Sequence, residues 1–104
     1  MSATNNEAGQ PVGAAVANWS PRALPPRTAL QGRHCRLEPL DPKRHGDDLV
    51  DALVAGWEPE RWTYLPYGPF DEAELRAFLD RAASLDHTVF YAILDAKGQR
   101  ALGW

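Results

Sequence analysis

The chain has 104 residues, 44% of them hydrophobic, with a formal charge of −3 at neutral pH and a pI near 5.5. That length allows one domain at most, and the acidic balance lacks the basic footprint that duplex nucleic acid or an anionic membrane surface requires. Met1 to Asn6 carries no positive charge, and the run Val12 to Ala17 is too short and too weakly apolar for a secretory signal, so the cytoplasm is the expected compartment.

Residues 1–29 contain Pro11, Pro21, Pro25 and Pro26, a polar start in Asn5, Asn6 and Gln10, and one acidic residue, Glu7, which suits a flexible arm. The charge splits as +1 for this arm and −4 for the 75 residues from 30 to 104, where the ordered domain is expected. Beyond Leu30-Gln31-Gly32, Cys35 and Leu37 alternate with His34, Arg36 and Glu38, the pattern of a half-buried strand with Cys35 and Leu37 facing inward. Cys35 has no partner for an internal disulfide and no positioned base, so it reads as a small, buried or half-buried hydrophobe rather than a nucleophile. Pro39 should end this strand or lie at an edge.

Asp41-Pro42 then supplies an N-cap and a proline suited to the first helical position. Leu49, Val50, Leu53, Val54 and Trp57 recur at helical spacing, with Gly56 as the expected breaker. The segment Trp62-Thr63-Tyr64-Leu65-Pro66-Tyr67-Gly68-Pro69-Phe70 sets four rings around two prolines and a glycine. The prolines restrict the backbone and Gly68 permits positive φ, so this is a built loop whose rings either cover the core or line a pocket. Asp71 and Glu74 match a capping box, Phe70 and Leu75 match a hydrophobic staple, and Leu75, Phe78, Leu79 and Ala82 form an apolar helical stripe.

From Thr88 to Leu94 both alternating sets are apolar, which predicts a central strand covered on both faces. Asp95-Ala96-Lys97-Gly98 reads as a turn, and Gln99 to Trp104 as an antiparallel return strand. The fold class expected is α+β, in the order strand, helix, helix, strand, strand with a mostly antiparallel sheet.

This order, with Arg36-Leu37-Glu38-Pro39-Leu40, the aromatic loop Trp62–Phe70, Phe90-Tyr91-Ala92-Ile93 and Ala101-Leu102-Gly103-Trp104, resembles the N-terminal part of a GNAT-family N-acetyltransferase. The resemblance is closest to the branch related to the acetyltransferases of ribosomal-protein N-termini. It implies a three-layer acyl-CoA N-acyltransferase fold and transfer of an acetyl group from acetyl-CoA to a primary amine, on a peptide or a small molecule, without a metal. It also implies that Trp62, Tyr64, Tyr67 and Phe70 border the acceptor. The family's glycine-containing pyrophosphate loop and its later tyrosine-bearing region have no counterpart in residues 1–104, since no glycines here are spaced as a phosphate loop at a strand-to-helix turn. The sequence is therefore expected to be a fragment truncated after the third strand, without appreciable activity of its own, and its catalytic base is unassigned.

Other constellations carry less. His34, His45 and His87 lack metal-ligand spacing and read as surface histidines, and no metal site is expected. Glu58, Glu60 and Arg61 read as exposed charge, with a general base in a complete fold as the alternative, and Asp47, Asp48 and Asp51 are expected to face outward on the first helix. The competing class is a non-catalytic module that binds a peptide or partner through the aromatic loop, or through the edge strand ending at Leu102-Gly103-Trp104, which could also pair with a missing C-terminal half.

Overall fold

Two aspartates set where the helices begin. Asp41, in extended backbone, accepts the Lys43 N–H through Oδ1 at 3.0 Å, and Pro42 follows it at the first helical position. Asp71 and Glu74 complete the expected capping box, with the Glu74 N–H donating to Asp71 Oδ1 at 2.8 Å and the Asp71 N–H to Glu74 Oε1 at 3.2 Å.

The computed structural model describes residues 4–56 and 58–104. In chain order these form β1 (Thr4–Asn5), β2 (Pro11–Val12), β3 (Leu30–Gln31), β4 (Cys35–Pro39), α1 (Pro42–Val50), a π turn (Asp51–Ala55), a 3-10 turn (Pro59–Trp62), α2 (Glu72–Ala83), β5 (Tyr91–Asp95) and β6 (Ala101–Gly103). Within the arm, β1 and β2 pair as a small hairpin. The arm meets the body where the Tyr91 hydroxyl donates to the Pro26 carbonyl at 2.7 Å and Arg27 Nη2 donates to the Leu85 carbonyl at 3.1 Å. Residues 1–3 of the arm and Trp57 of the first apolar stripe lie outside the described residues.

The main sheet has the order β3-β4-β5-β6, antiparallel throughout, so the predicted α+β arrangement holds with β3 added at one edge. β4 ends at Pro39, as its missing N–H requires. The Asp95–Gly98 turn closes with Gly98 at φ +68°. Ile93 pairs with Gly103 and Leu94 with Ala101, which leaves Leu102 as the extra residue of a bulge in β6. Helix α1 widens into the π turn before Gly56, whose N–H bonds the Asp51 carbonyl at 3.1 Å. Among the described residues no helix is long and apolar enough to cross a membrane.

The core lies between the helices and one face of the sheet: Leu49, Leu75, Leu79 and Ala82 pack against Leu40, Ala92, Leu94 and Ala101. This reverses the expected facing of β4. Register pairs Glu38 with Ala92 and Arg36 with Leu94, so the polar set of β4 lies on the helix-covered face while Cys35 is exposed rather than buried. The alternation is real; the inward face holds the charged residues because Glu38 has partners there.

The expected two-sided cover of β5 is corrected as well. Leu30, Leu37 and Ile93 are paired across three strands on the face away from the helices, where Leu30 is exposed and Ile93 keeps 37% of its surface. Leu37 in the middle of that row is half-buried and the arm reaches the same face where Tyr91 bonds Pro26, so this face is covered only in part while the other is packed by the helices.

Candidate functional site

The 3-10 turn after Pro59 delivers Trp62 inward, 7% exposed, and the loop returns across its ring. Gly68 makes the return possible. Its φ is +79°, and a Cβ there would overlap the six-membered ring of Trp62, so backbone lies directly on the indole. Phe70 meets Trp62 edge to face with centroids 5.5 Å apart, and Tyr67 stacks on Phe70 at 6.2 Å and approaches Phe78 of α2 at 4.7 Å. The capping box fixes the loop's exit, which seats Phe70 beside α2.

The far end of the sheet joins this cluster. Trp104 lies 6.2 Å from Trp62 and 5.3 Å from Phe78, and its Nε1–H donates to the Tyr67 hydroxyl at 3.4 Å. Between them is an open pocket of about 200 Å³ lined by Leu53 of the π turn, Arg61, Trp62, Leu65 and Tyr67 of the loop, and Gly103 and Trp104 at the end of β6. Among the described residues Arg61 is its one charged lining residue, donating Nε to Glu58 at 3.2 Å and Nη1 to the Ala52 carbonyl at 3.3 Å.

Of the four rings singled out in the sequence, Trp62 and Tyr67 line the pocket and Phe70 backs them. Tyr64 does not: it is 97% exposed, because the Leu65 N–H bonds the Trp62 carbonyl at 3.1 Å and this turn directs residue 64 outward. Leu53, Arg61, Leu65, Gly103 and Trp104 are the lining residues that sequence patterning did not single out as site residues. Their convergence depends on a π turn and a bulge, for which short-range patterning carries no signal.

A second polar constellation lies under the sheet. Glu38, 8% exposed, receives Arg44 Nε at 2.5 Å and Arg36 Nε at 2.9 Å, and its Oε1 is 2.9 Å from His45 Nε2. The Asp41 N–H donates to His45 Nδ1 at 3.0 Å, so Nε2 carries the ring proton and donates to Glu38. His45 is thus buried, 1% exposed, and not the surface histidine expected. The hydrogen bonds from Arg44, then Arg36, then His45 hold the Glu38 carboxyl far below the ordinary carboxylate range, outweighing its desolvation. Asp48 is corrected too: it is half-buried, and its Oδ2 accepts the Ala101 N–H of β6 at 3.0 Å.

A pyrophosphate does not fit either α-helix start. The N-terminus of α1 presents the Asp41 carboxylate and a proline without an N–H, and that of α2 presents Asp71, Glu72 and Glu74. Carboxylates already accept from N–H groups at both ends and would repel a phosphate.

No protein-family model and no curated protein matches the sequence. Solved structures do. A probable acetyltransferase of the GNAT family from Chromobacterium violaceum superposes with a TM-score of 0.66 and 30% identity, over 90% of this chain and 47% of that one. A GCN5-related N-acetyltransferase from Brucella melitensis gives a TM-score of 0.62 and 35% identity, over 84% of this chain and 39% of that one. The chain spans less than half the length of each, and over that span its fold is the GNAT acetyltransferase fold.

Proposed function

We propose that residues 30–104 form the acceptor side of an N-acetyltransferase that moves an acetyl group from acetyl-CoA to a primary amine, in the branch related to the acetyltransferases of ribosomal-protein N-termini. The observation that carries this reading is the Trp62–Phe70 loop, folded back on its own Trp62 and walled against Trp104 at the end of β6, within the fold of GNAT acetyltransferases. Trp62 and Tyr67 border the acceptor and Phe70 holds them in place. Such a wall suits an amine that must react uncharged, because removing water from an ammonium favours its neutral form.

The donor's pyrophosphate has no seat at the helix starts described here, so the reading assigns this chain to the acceptor alone. A complementary segment pairing along the free side of β6 would supply the donor side. Residues 1–29 are an arm that reaches this domain through Pro26 and Arg27, and the compartment is the cytoplasm.

A hybrid tests the reading. Residues 30–104 would replace the superposed segment of the Chromobacterium violaceum protein, and acetyl transfer from acetyl-CoA to a panel of primary amines would be compared with the parent. The expected result is a hybrid that acetylates amines with a changed acceptor preference and an unchanged acetyl-CoA Michaelis constant. An active hybrid that keeps the parent's acceptor preference would remove this loop from acceptor choice.

A further inference from the structure

The pocket's volume and its single charge say what kind of group it takes. At about 200 Å³ it is smaller than the usual site for a whole ligand and has room for one side-chain-sized apolar group. Its walls are aliphatic and aromatic, and Arg61 is the charged group on them.

Resting on the acceptor reading above, we propose that this pocket selects acceptors whose apolar body carries an anionic group, a carboxylate or a phosphate, with Arg61 as the residue that decides it. Three features support the assignment. Arg61 is held in place at two points, Glu58 Oε2 on Nε and the Ala52 carbonyl on Nη1, while Nη2 donates to nothing among the described residues. This guanidinium, 47% exposed, is tethered on one side and keeps N–H groups whose planar fork matches a carboxylate or a phosphate. Finally, among the described residues no carboxylate lines the pocket, so an ammonium group entering it would lose water and meet a like charge.

The rings by themselves would suit a cation, which is the competing assignment. Arg61 argues against it, because a fixed positive charge on the same wall opposes the attraction of the ring faces. Glu58 offsets that charge in part, but it touches Nε rather than lining the cavity.

The experiment uses three probes that share one apolar body: 3-phenylpropanoate, 3-phenylpropanamide and 3-phenylpropylammonium. Each is titrated at pH 7 into the full 104-residue chain while the indole N–H signal of Trp104, assigned by Trp104→Phe, is followed by NMR. The anion is expected to bind roughly tenfold tighter than the amide, as a charge-assisted hydrogen bond allows, and the ammonium to bind weakest. Arg61→Met should bring the anion to the level of the amide, and Glu58→Gln should tighten the anion further. An anion no tighter than the amide, or an ammonium that binds tightest, overturns the charge assignment and leaves the acceptor loop standing. No saturable shift with any probe overturns it too, and takes the pocket out of the acceptor reading as well.

Discussion

Asp48, on the inner side of α1, accepts a hydrogen bond from the backbone N–H of Ala101 in β6 at 3.0 Å. One carboxylate therefore ties the helix that leads into the aromatic loop to the strand that ends in Trp104. It also takes up an N–H of the edge strand, which would otherwise be open to another chain at that position. Asp48→Ala leaves the buried Ala101 without that acceptor and is expected to cost about 1–3 kcal/mol. Asp48→Asn keeps an acceptor oxygen and should recover most of the loss. Urea unfolding of the two variants makes the comparison, and equal losses would mean that charge, not the hydrogen bond, is what matters.

The Glu38 cluster predicts how the chain responds to acid. Because the folded carboxyl is held below its unfolded value by Arg44, Arg36 and His45, its contribution is fully present above the unfolded carboxylate pKa. It is lost as pH falls from there toward the folded value. Glu38→Gln should therefore lower stability at pH 7 by about 1.5–3 kcal/mol, the range for hydrogen bonds to charged groups. The variant and the parent should converge as pH falls below about 4. Melting curves between pH 2 and 7 test this, and a constant gap across that range would show that packing, not ionisation, underlies the loss.

The unequal packing of the sheet's two faces gives a third expectation. Leu94 faces the helices and is buried, whereas its neighbour Ile93 is 37% exposed on the other face. Leu94→Ala should cost about 2–5 kcal/mol, as large-to-small changes in a core do. Ile93→Ala should cost less, about 1–2 kcal/mol, because Ile93 keeps 37% of its surface in water and its loss leaves an open gap rather than a closed cavity. Comparable losses at the two positions would mean that the row Leu30, Leu37, Ile93 is fully covered in solution.

Local chemistry in the sequence was enough to place the helix starts, the Asp95–Gly98 turn and the return of the chain at Gly68. Caps, turns and a positive φ are decided within four or five residues. The facing of β4 was not legible, since alternation yields two faces without saying which one the helices cover. Carboxylates are usually outside, and Glu38 is inside only because Arg44 and His45 arrive from α1 to meet it. The aromatic loop is recognisable as a built feature, but composition does not show that the turn at Leu65 directs Tyr64, its second ring, outward. Trp104 enters the site through packing across 37 positions to Tyr67, and Arg61 through its bond to the Ala52 carbonyl nine positions back, and periodicity registers neither.

Tyr64 and Tyr67 stand three positions apart on one loop, and the structure gives them opposite fates. Tyr64, 97% exposed, touches none of the rings around the pocket, so Tyr64→Ala should change stability by less than about 0.5 kcal/mol. Tyr67 is half-buried against Phe70 and Phe78, and Tyr67→Ala should cost about 1–3 kcal/mol through lost ring contact. Tyr67→Phe keeps the ring and removes only the acceptor of the Trp104 indole N–H, so it should cost less than Tyr67→Ala. Stability alone does not separate a ligand wall from a core cover, but kinetics in the hybrid enzyme does. If Tyr67 borders the acceptor, Tyr67→Ala raises the acceptor Michaelis constant while that for acetyl-CoA stays level, and Tyr64→Ala moves neither. A lower melting temperature with both constants unchanged would make Tyr67 a structural ring, and leave Trp62 and Trp104 as the aromatic walls for the acceptor among the described residues.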